Sequence, residues 1–87
     1  MITKEEITEK ILTILTEDFE FARPGLTDNL RDVHGFDSID AIELLGKIEI
    51  GILGFALTRE EKEKAMTIRT INDIVKYIEG IQRSRSK

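Results

Sequence analysis

Three threonines in this 87-residue chain stand three positions before an acidic residue, a spacing that marks helix starts. They are Thr3, Thr58 and Thr70, and a hydroxyl with a carboxylate three residues later can satisfy free backbone N–H groups there. One stretch, Ile48 to Ile52, alternates apolar residues as a strand would. No second segment offers itself as its partner strand, so the sequence predicts an all-α fold, with a helix end and an apolar loop there.

Apolar residues recur at helical spacing after each predicted start. The predicted helices cover residues 4–17, residues 38 to 49 or 50, residues 59–66, and a last helix that begins at residue 71 after the Thr70 cap. Gly51 suits a left-handed residue that ends the second helix, and Gly80 weakens the last helix near its end. The buried face of the last helix is predicted to hold Ile71, Ile74, Val75 and Ile78. Residues 1–83 are predicted to form one domain, and residues 84–87 a frayed basic tail.

A long connection from Asp18 to Phe36 separates the first two predicted helices. It contains the turn sequence Arg23-Pro24-Gly25, and a short turn is predicted at residues 27–30. Such a loop is unusual in a compact domain unless its own side chains hold it in place. The candidates for that role are Phe19, Phe21, Leu26, Leu30, Val33 and Phe36.

Composition restricts the classes of protein to consider. Apolar residues make up 40% and charged residues 34%, as in a folded domain rather than a disordered one. The chain has no cysteine, so it offers no disulfide and no thiolate. No apolar run approaches the ~18 residues of a membrane span, and the N-terminus lacks a signal-peptide core. We expect a cytoplasmic monomer without stable membrane insertion.

Charge is unevenly distributed along the chain. Residues 1–20 and residues 28–49 each carry six acidic and two basic side chains, whereas residues 59–87 carry eight basic and five acidic ones. The acidic region argues against nucleic acid as a partner and favours proteins with basic patches. An ordinary solvated surface explains the same pattern.

The run Gly35-Phe36-Asp37-Ser38-Ile39-Asp40 opens the second predicted helix. Asp37 can cap this helix, and Ser38 is then its first residue, with the hydroxyl in water. An apolar face is predicted to follow with Ile39, Ile42, Leu45 and Ile48. The N–H groups and dipole of a helix start favour an anion, so this hydroxyl suits a phosphate ester. The alternative is that Asp37 and Ser38 simply cap a helix.

Together with Ile42-Glu43-Leu44, this run resembles the attachment motif of acyl carrier proteins, usually Asp-Ser-Leu-Asp. The resemblance extends over most of the chain, because the predicted helices and the long first loop follow the family's order. It implies a four-helix bundle with a short third helix, and a carrier rather than an enzyme. It also implies that a phosphopantetheinyl transferase moves 4′-phosphopantetheine from coenzyme A onto Ser38, with Asp37 as part of the motif.

The resemblance further implies a cleft for the acyl chain between the second and third helices. The residues expected to line it are Ile42, Leu45, Ile48, Phe55, Leu57, Ala65 and Met66, although an ordinary core explains them equally well. The partner surface implied by the family is the second helix, which meets basic patches on acyl-loading and acyl-using enzymes. Its predicted contacts are Asp40, Glu43, Lys47 and Glu49.

Two departures from the family pattern bear on the pathway. Gly46 replaces a larger apolar residue, and Lys47 adds a positive charge to an acidic strip. They favour a carrier for a specialised pathway of lipid or related biosynthesis over bulk fatty acid biosynthesis. Gly46 and the apolar stretch 50–55 also leave open an unmodified interaction module that has kept the carrier fold.

The sequence lacks the residues that a hydrolase, a zinc site or an EF-hand would require. Ser38 is not within Gly-x-Ser-x-Gly, so a hydrolase is disfavoured. His34 is the only histidine, and without cysteine it cannot build an ordinary zinc site. An EF-hand starting at Asp32 would need a glycine where Asp37 stands. We therefore expect no metal site. His34 is interpreted as an exposed loop residue, with contact to a phosphate on Ser38 as the alternative.

Overall fold

A computed structural model describes residues 2–85 of the chain, and all regular structure in that range is helical. The α-helices are α1 (Lys4–Thr13), α2 (Leu30–His34), α3 (Ser38–Ile48), α4 (Arg59–Ala65) and α5 (Ile71–Arg85). Wider π-helical turns continue α1 over Ile14–Asp18 and α3 over Glu49–Leu53. The all-α prediction is confirmed, and α2 is an additional short helix that begins at the end of the turn predicted at residues 27–30. Within residues 2–85 no helix is long and apolar enough to span a bilayer.

The helix starts lie where the threonines predicted them. Thr3 Oγ1 accepts a hydrogen bond of 3.2 Å from Glu6 N. Thr58 and Glu61 form a complete capping box, with Glu61 N donating to Thr58 Oγ1 at 3.2 Å and Thr58 N donating to Glu61 Oε1 at 2.8 Å. Each removes an unsatisfied backbone donor, which is worth about 1 kcal/mol.

The core lies where α1 packs against α5, with α3 beside them. The predicted buried face of α5 is confirmed, since its four residues are at most 1% exposed. Burial of each such isoleucine contributes roughly 1.5–3 kcal/mol. The side chains with less than 2% exposure are Ile7, Ile11, Leu15, Leu30, Ile48, Ile71, Ile74, Val75 and Ile78.

The long loop is held by its aromatic residues and by backbone hydrogen bonds. The Phe19 ring centroid is 6.1 Å from that of Phe36, and the Phe21 centroid is 6.4 Å from it. Leu30 N donates to the carbonyl of Arg69 at 2.8 Å, joining α2 to the connection before α5.

Two of the six predicted loop anchors are wrong. Leu26 is 41% exposed and Val33 is 59% exposed. In α2 the inward face passes through Leu30 and, one turn later, His34. Val33 therefore points outward although it is apolar.

The backbone after α3 differs from the prediction at Gly51. The chain does not end its helix there but continues through the π-helical turn to Leu53. Gly54 is the left-handed residue, with φ of 77°, and its N–H donates to the carbonyl of Glu49 at 2.8 Å. The wider turn carries the helix end three residues further and turns Ile50 outward.

The end of α5 also extends beyond the predicted domain boundary. Ser84 and Arg85 were predicted to fray, but both lie in α5, which continues through Gly80. Arg85 pairs with Glu61 of α4 at 2.7 Å, and this contact holds the last turn. The rest of the predicted tail, residues 86–87, lies outside the described residues, as does Met1.

Asp73 stabilises the start of α5 through hydrogen bonds with backbone N–H groups. Its Oδ2 accepts hydrogen bonds of 3.1 Å from the N–H groups of Arg69 and Thr70, and its own N–H donates to Thr70 Oγ1 at 3.1 Å. The N–H of Arg69 has the largest effect and, with Thr70, holds the pKa of Asp73 below its ordinary value, although partial burial opposes this.

We expect Asp73→Asn to reduce the acid sensitivity of the fold. A carboxyl whose pKa is lowered in the folded state stabilises it above the unfolded pKa of about 4, and this contribution is lost as pH falls through the folded value. Urea unfolding at pH 7 and pH 3 measures the difference. Asp32→Asn, which removes an exposed carboxylate of α2, controls for net charge. An identical pH dependence of Asp73→Asn and the unaltered chain would contradict the prediction.

Candidate functional site

Ser38 is the first residue of α3, and its side chain is exposed. The preceding residues position it. Gly35 adopts a left-handed conformation, with φ of 68°, that ends α2 and redirects the chain. Phe36 is buried at 6% exposure and anchors the connection in the core. Asp37 then takes an extended conformation as the helix cap.

The cap of α3 is a reciprocal pair of carboxylates. Asp37 Oδ1 accepts from Asp40 N at 3.0 Å, and Asp40 Oδ2 accepts from Asp37 N at 3.2 Å. This pair fixes the first turn and keeps the Ser38 hydroxyl outside it, free of a capping role. Asp37 is therefore the cap, and Ser38 takes no part in it. The positive end of the helix dipole lies beside this hydroxyl and favours a phosphate ester there.

A small apolar cavity of about 10 Å³ lies among α3, α4 and α5. Its volume leaves room for roughly one water molecule. Its lining residues are Phe36, Ala41, Leu44, Leu45, Ile48, Ala65, Ile68 and Ile74. Three of the predicted cleft residues, Leu45, Ile48 and Ala65, are among them.

The other predicted cleft residues lie elsewhere. Leu57 is buried at 6% exposure, and Phe55 and Met66 are half-buried against the core, but none of the three lines the cavity. Ile42 is 64% exposed and Ile39 is 69% exposed, so the predicted apolar face of α3 is wrong at these two positions.

The core face of α3 instead passes through Ala41, Leu44, Leu45 and Ile48. These positions are spaced i, i+3, i+4 and i+7, a helical pattern that was present in the sequence. Ala41 and Leu44 could have been found from it. Ile39 and Ile42 are left on the surface beside Ser38.

The four predicted partner contacts have different environments. Asp40 belongs to the helix cap, and Glu43 is exposed. Lys47 Nζ lies 3.4 Å from a carboxylate oxygen of Asp18 at the end of the first helical segment, which offsets its positive charge.

Glu49 is engaged inside the protein. Its Oε2 accepts a hydrogen bond of 2.6 Å from Leu57 N and lies 4.0 Å from Lys62 Nζ, and its side chain is 19% exposed. It braces the connection between α3 and α4, a role that the sequence did not indicate because the partners are eight residues apart.

His34 is not the exposed loop residue that was predicted. It ends α2, its side chain is 11% exposed, and its ring stacks on Phe21 with 5.3 Å between centroids. Its Nε2 lies 3.9 Å from Asp28 Oδ2 and makes no hydrogen bond within residues 2–85. The same part of the chain contains no group of three His, Cys, Asp or Glu residues that could hold a metal ion.

Comparison with known proteins identifies the family of this chain. Residues 9–78 match the family described as phosphopantetheine attachment site. An acyl carrier protein of Lactobacillus acidophilus is 31% identical over 83 residues, which cover 93% of this chain and 99% of that protein. The chain belongs to the acyl carrier protein family.

A second acyl carrier protein, from Rickettsia massiliae, is 29% identical over 84 residues, covering 94% of this chain and 93% of that protein. Members of this family are carriers and not catalysts, and the group they carry is 4′-phosphopantetheine. Their partners are a phosphopantetheinyl transferase and enzymes of acyl metabolism.

Proposed function

We propose that this chain carries acyl groups as thioesters on 4′-phosphopantetheine joined to Ser38 Oγ. The observation that carries the proposal is the exposed Ser38 hydroxyl at the start of α3, held outside the Asp37–Asp40 cap. The chain has no cysteine, so the thiol that forms the thioester is the one the prosthetic group supplies. On attachment, Ser38 Oγ bonds to phosphorus, loses its proton, and displaces the nucleotide part of coenzyme A.

The first turn of α3 fits this group. Its N–H groups and dipole favour the phosphodiester's negative charge, whereas the carboxylates of Asp37 and Asp40 oppose it but are directed into the cap. We infer that the domain extends through Arg85, because α5 is helical to that residue.

We propose that the acyl chain enters the fold at the cavity beside Leu45, Ile48 and Ala65. Each buried methylene gains about 0.8 kcal/mol, so a few suffice to draw the cargo inward. The cavity of about 10 Å³ is too small for a chain, so α4 has to move away from α3 on loading.

The partner surface that we propose is the exposed side of α3. It combines Glu43 with Ile39 and Ile42, which follow Ser38 in the first two turns of α3. Exposed ion pairs contribute only about 0–1 kcal/mol each, which suits brief encounters with successive basic enzymes. Glu49 contributes less than the sequence suggested, because its carboxylate is already bonded to Leu57 N.

We propose a specialised pathway of lipid or related biosynthesis. A Cβ built on Gly46 would meet no atom within 4 Å, so packing inside the chain does not require glycine there. Glycine in a helix costs roughly 0.5–1 kcal/mol relative to alanine. Close approach by a dedicated partner to this side of α3 accounts for that cost.

Incubation with coenzyme A, Mg²⁺ and a broad-specificity phosphopantetheinyl transferase tests the proposal. We expect the intact mass to rise by one phosphopantetheine group, and fragmentation to assign it to the peptide containing Ser38. An unchanged mass would overturn the carrier proposal and favour the unmodified interaction module.

A further inference from the structure

The short helix α4 has little apolar contact with the rest of the protein. Of its seven residues, Ala65 is the buried one, and the other six are charged. A seven-residue helix is unstable by itself, since helix nucleation is costly. Contacts from other elements must therefore hold α4 in place.

Two polar contacts from α5 meet at Glu61. The Tyr77 hydroxyl donates to the backbone carbonyl of Glu61 at 2.5 Å, and an Arg85 guanidinium N–H donates to Glu61 Oε1 at 2.7 Å. The same Oε1 accepts from Thr58 N, so one carboxylate both caps α4 and ties it to α5. The Thr58 N–H and then Arg85 hold the pKa of Glu61 below its usual range, although burial opposes them. Burial raises the pKa of Tyr77 to about 12, so this hydroxyl stays a donor at neutral pH.

Arg85 reaches a second element as well. Its guanidinium carbon lies 4.4 Å from the ring centroid of Phe55, in the connection between α3 and α4. A planar guanidinium over an aromatic face is a favourable cation–π contact. One side chain near the end of α5 thus contacts both α4 and the segment leading into it.

We propose that Arg85 is a positioning residue. It holds α4 against α5 and sets how often α4 separates from α5. The effect of Arg85 on a bound acyl group rests on the proposed function, because α4 contributes Ala65 to the lining of the cavity that an acyl chain would enter. Weaker contact between α4 and α5 then makes the thioester more accessible to water and nucleophiles.

Native-state hydrogen exchange of the unmodified chain tests this role of Arg85 independently of any cargo. We expect Arg85→Gln to speed exchange of the amides inside α4 by about threefold to tenfold. The matched control is Arg59→Gln, which removes the exposed Arg59–Glu63 pair of 3.3 Å within α4 and leaves α5 untouched. Arg85→Lys keeps the charge but not the planar stack, so we expect it to restore part of the protection.

Amides of α1 report on global unfolding in the same spectra. Unchanged α4 exchange in Arg85→Gln, or an equal acceleration in α1 and α4, would overturn the proposal. In the modified and acylated protein, we expect hydroxylamine to release the acyl group faster from Arg85→Gln than from Arg59→Gln. If the transferase does not modify the chain, the proposed function fails but the exchange experiment still decides the role of Arg85.

Discussion

Ser38→Ala is expected to abolish transfer of phosphopantetheine to the chain, whereas Ser84→Ala is expected to be modified like the unaltered protein. The substitution removes the one oxygen atom that we propose as the nucleophile. It leaves the Asp37–Asp40 cap in place, and alanine is a good helix former, so α3 keeps its start. Intact mass spectrometry after incubation with coenzyme A and a transferase measures the result.

Ser84 is a matched control because it is also an exposed serine on a helix, in the last turns of α5. Circular dichroism of both variants checks that the helices are retained. An equal mass gain in Ser38→Ala would refute Ser38 as the attachment residue. A loss of mass gain in both variants would point to a damaged docking surface instead.

The features that sequence predicted well are those with local causes. The start of α3 depends on Asp37 and Asp40, three residues apart, and the start of α4 on Thr58 and Glu61 in the same way. A side chain three residues from its backbone partner leaves few conformations to choose from. For this reason the position of Ser38 at a helix start could be predicted from the sequence.

Contacts between distant residues could not be predicted in this way. Arg85 and Glu61 are 24 residues apart, and nothing in their spacing indicates that they meet. Glu49 was expected to face partners, but its bond to Leu57 N depends on the path of the connection after α3. That path depends in turn on the π-helical turn that shifts the left-handed residue from Gly51 to Gly54.

The apolar face of α3 was misassigned because two stripes compete on it. One passes through Ile39 and Ile42, and the other through Ala41 and Leu44. Both fit helical spacing with Leu45 and Ile48, and the structure buries the second and leaves the isoleucines beside Ser38. A surface that partners contact can be as apolar as a core, so spacing alone does not separate the two.

Ile48 and Ile50 provide a direct test of how the chain leaves α3. Ile48 is 1% exposed and lines the cavity, whereas Ile50, two residues later, is 87% exposed. We expect Ile48→Ala to lower the free energy of unfolding by about 2–5 kcal/mol, because it removes buried apolar area and enlarges the cavity. Ile50→Ala should change it by less than about 0.5 kcal/mol.

Urea unfolding with a common m-value measures both changes, and the Ile48→Ala protein should melt at least about 8 °C lower. The two variants lose the same atoms from the same type of residue, so hydrophobicity and helix propensity cancel in the comparison. What remains is the direction in which each side chain points. Equal losses would mean that the backbone beyond Ile48 does not follow the π-helical turn, and the brace from Glu49 to Leu57 would then be lost with it.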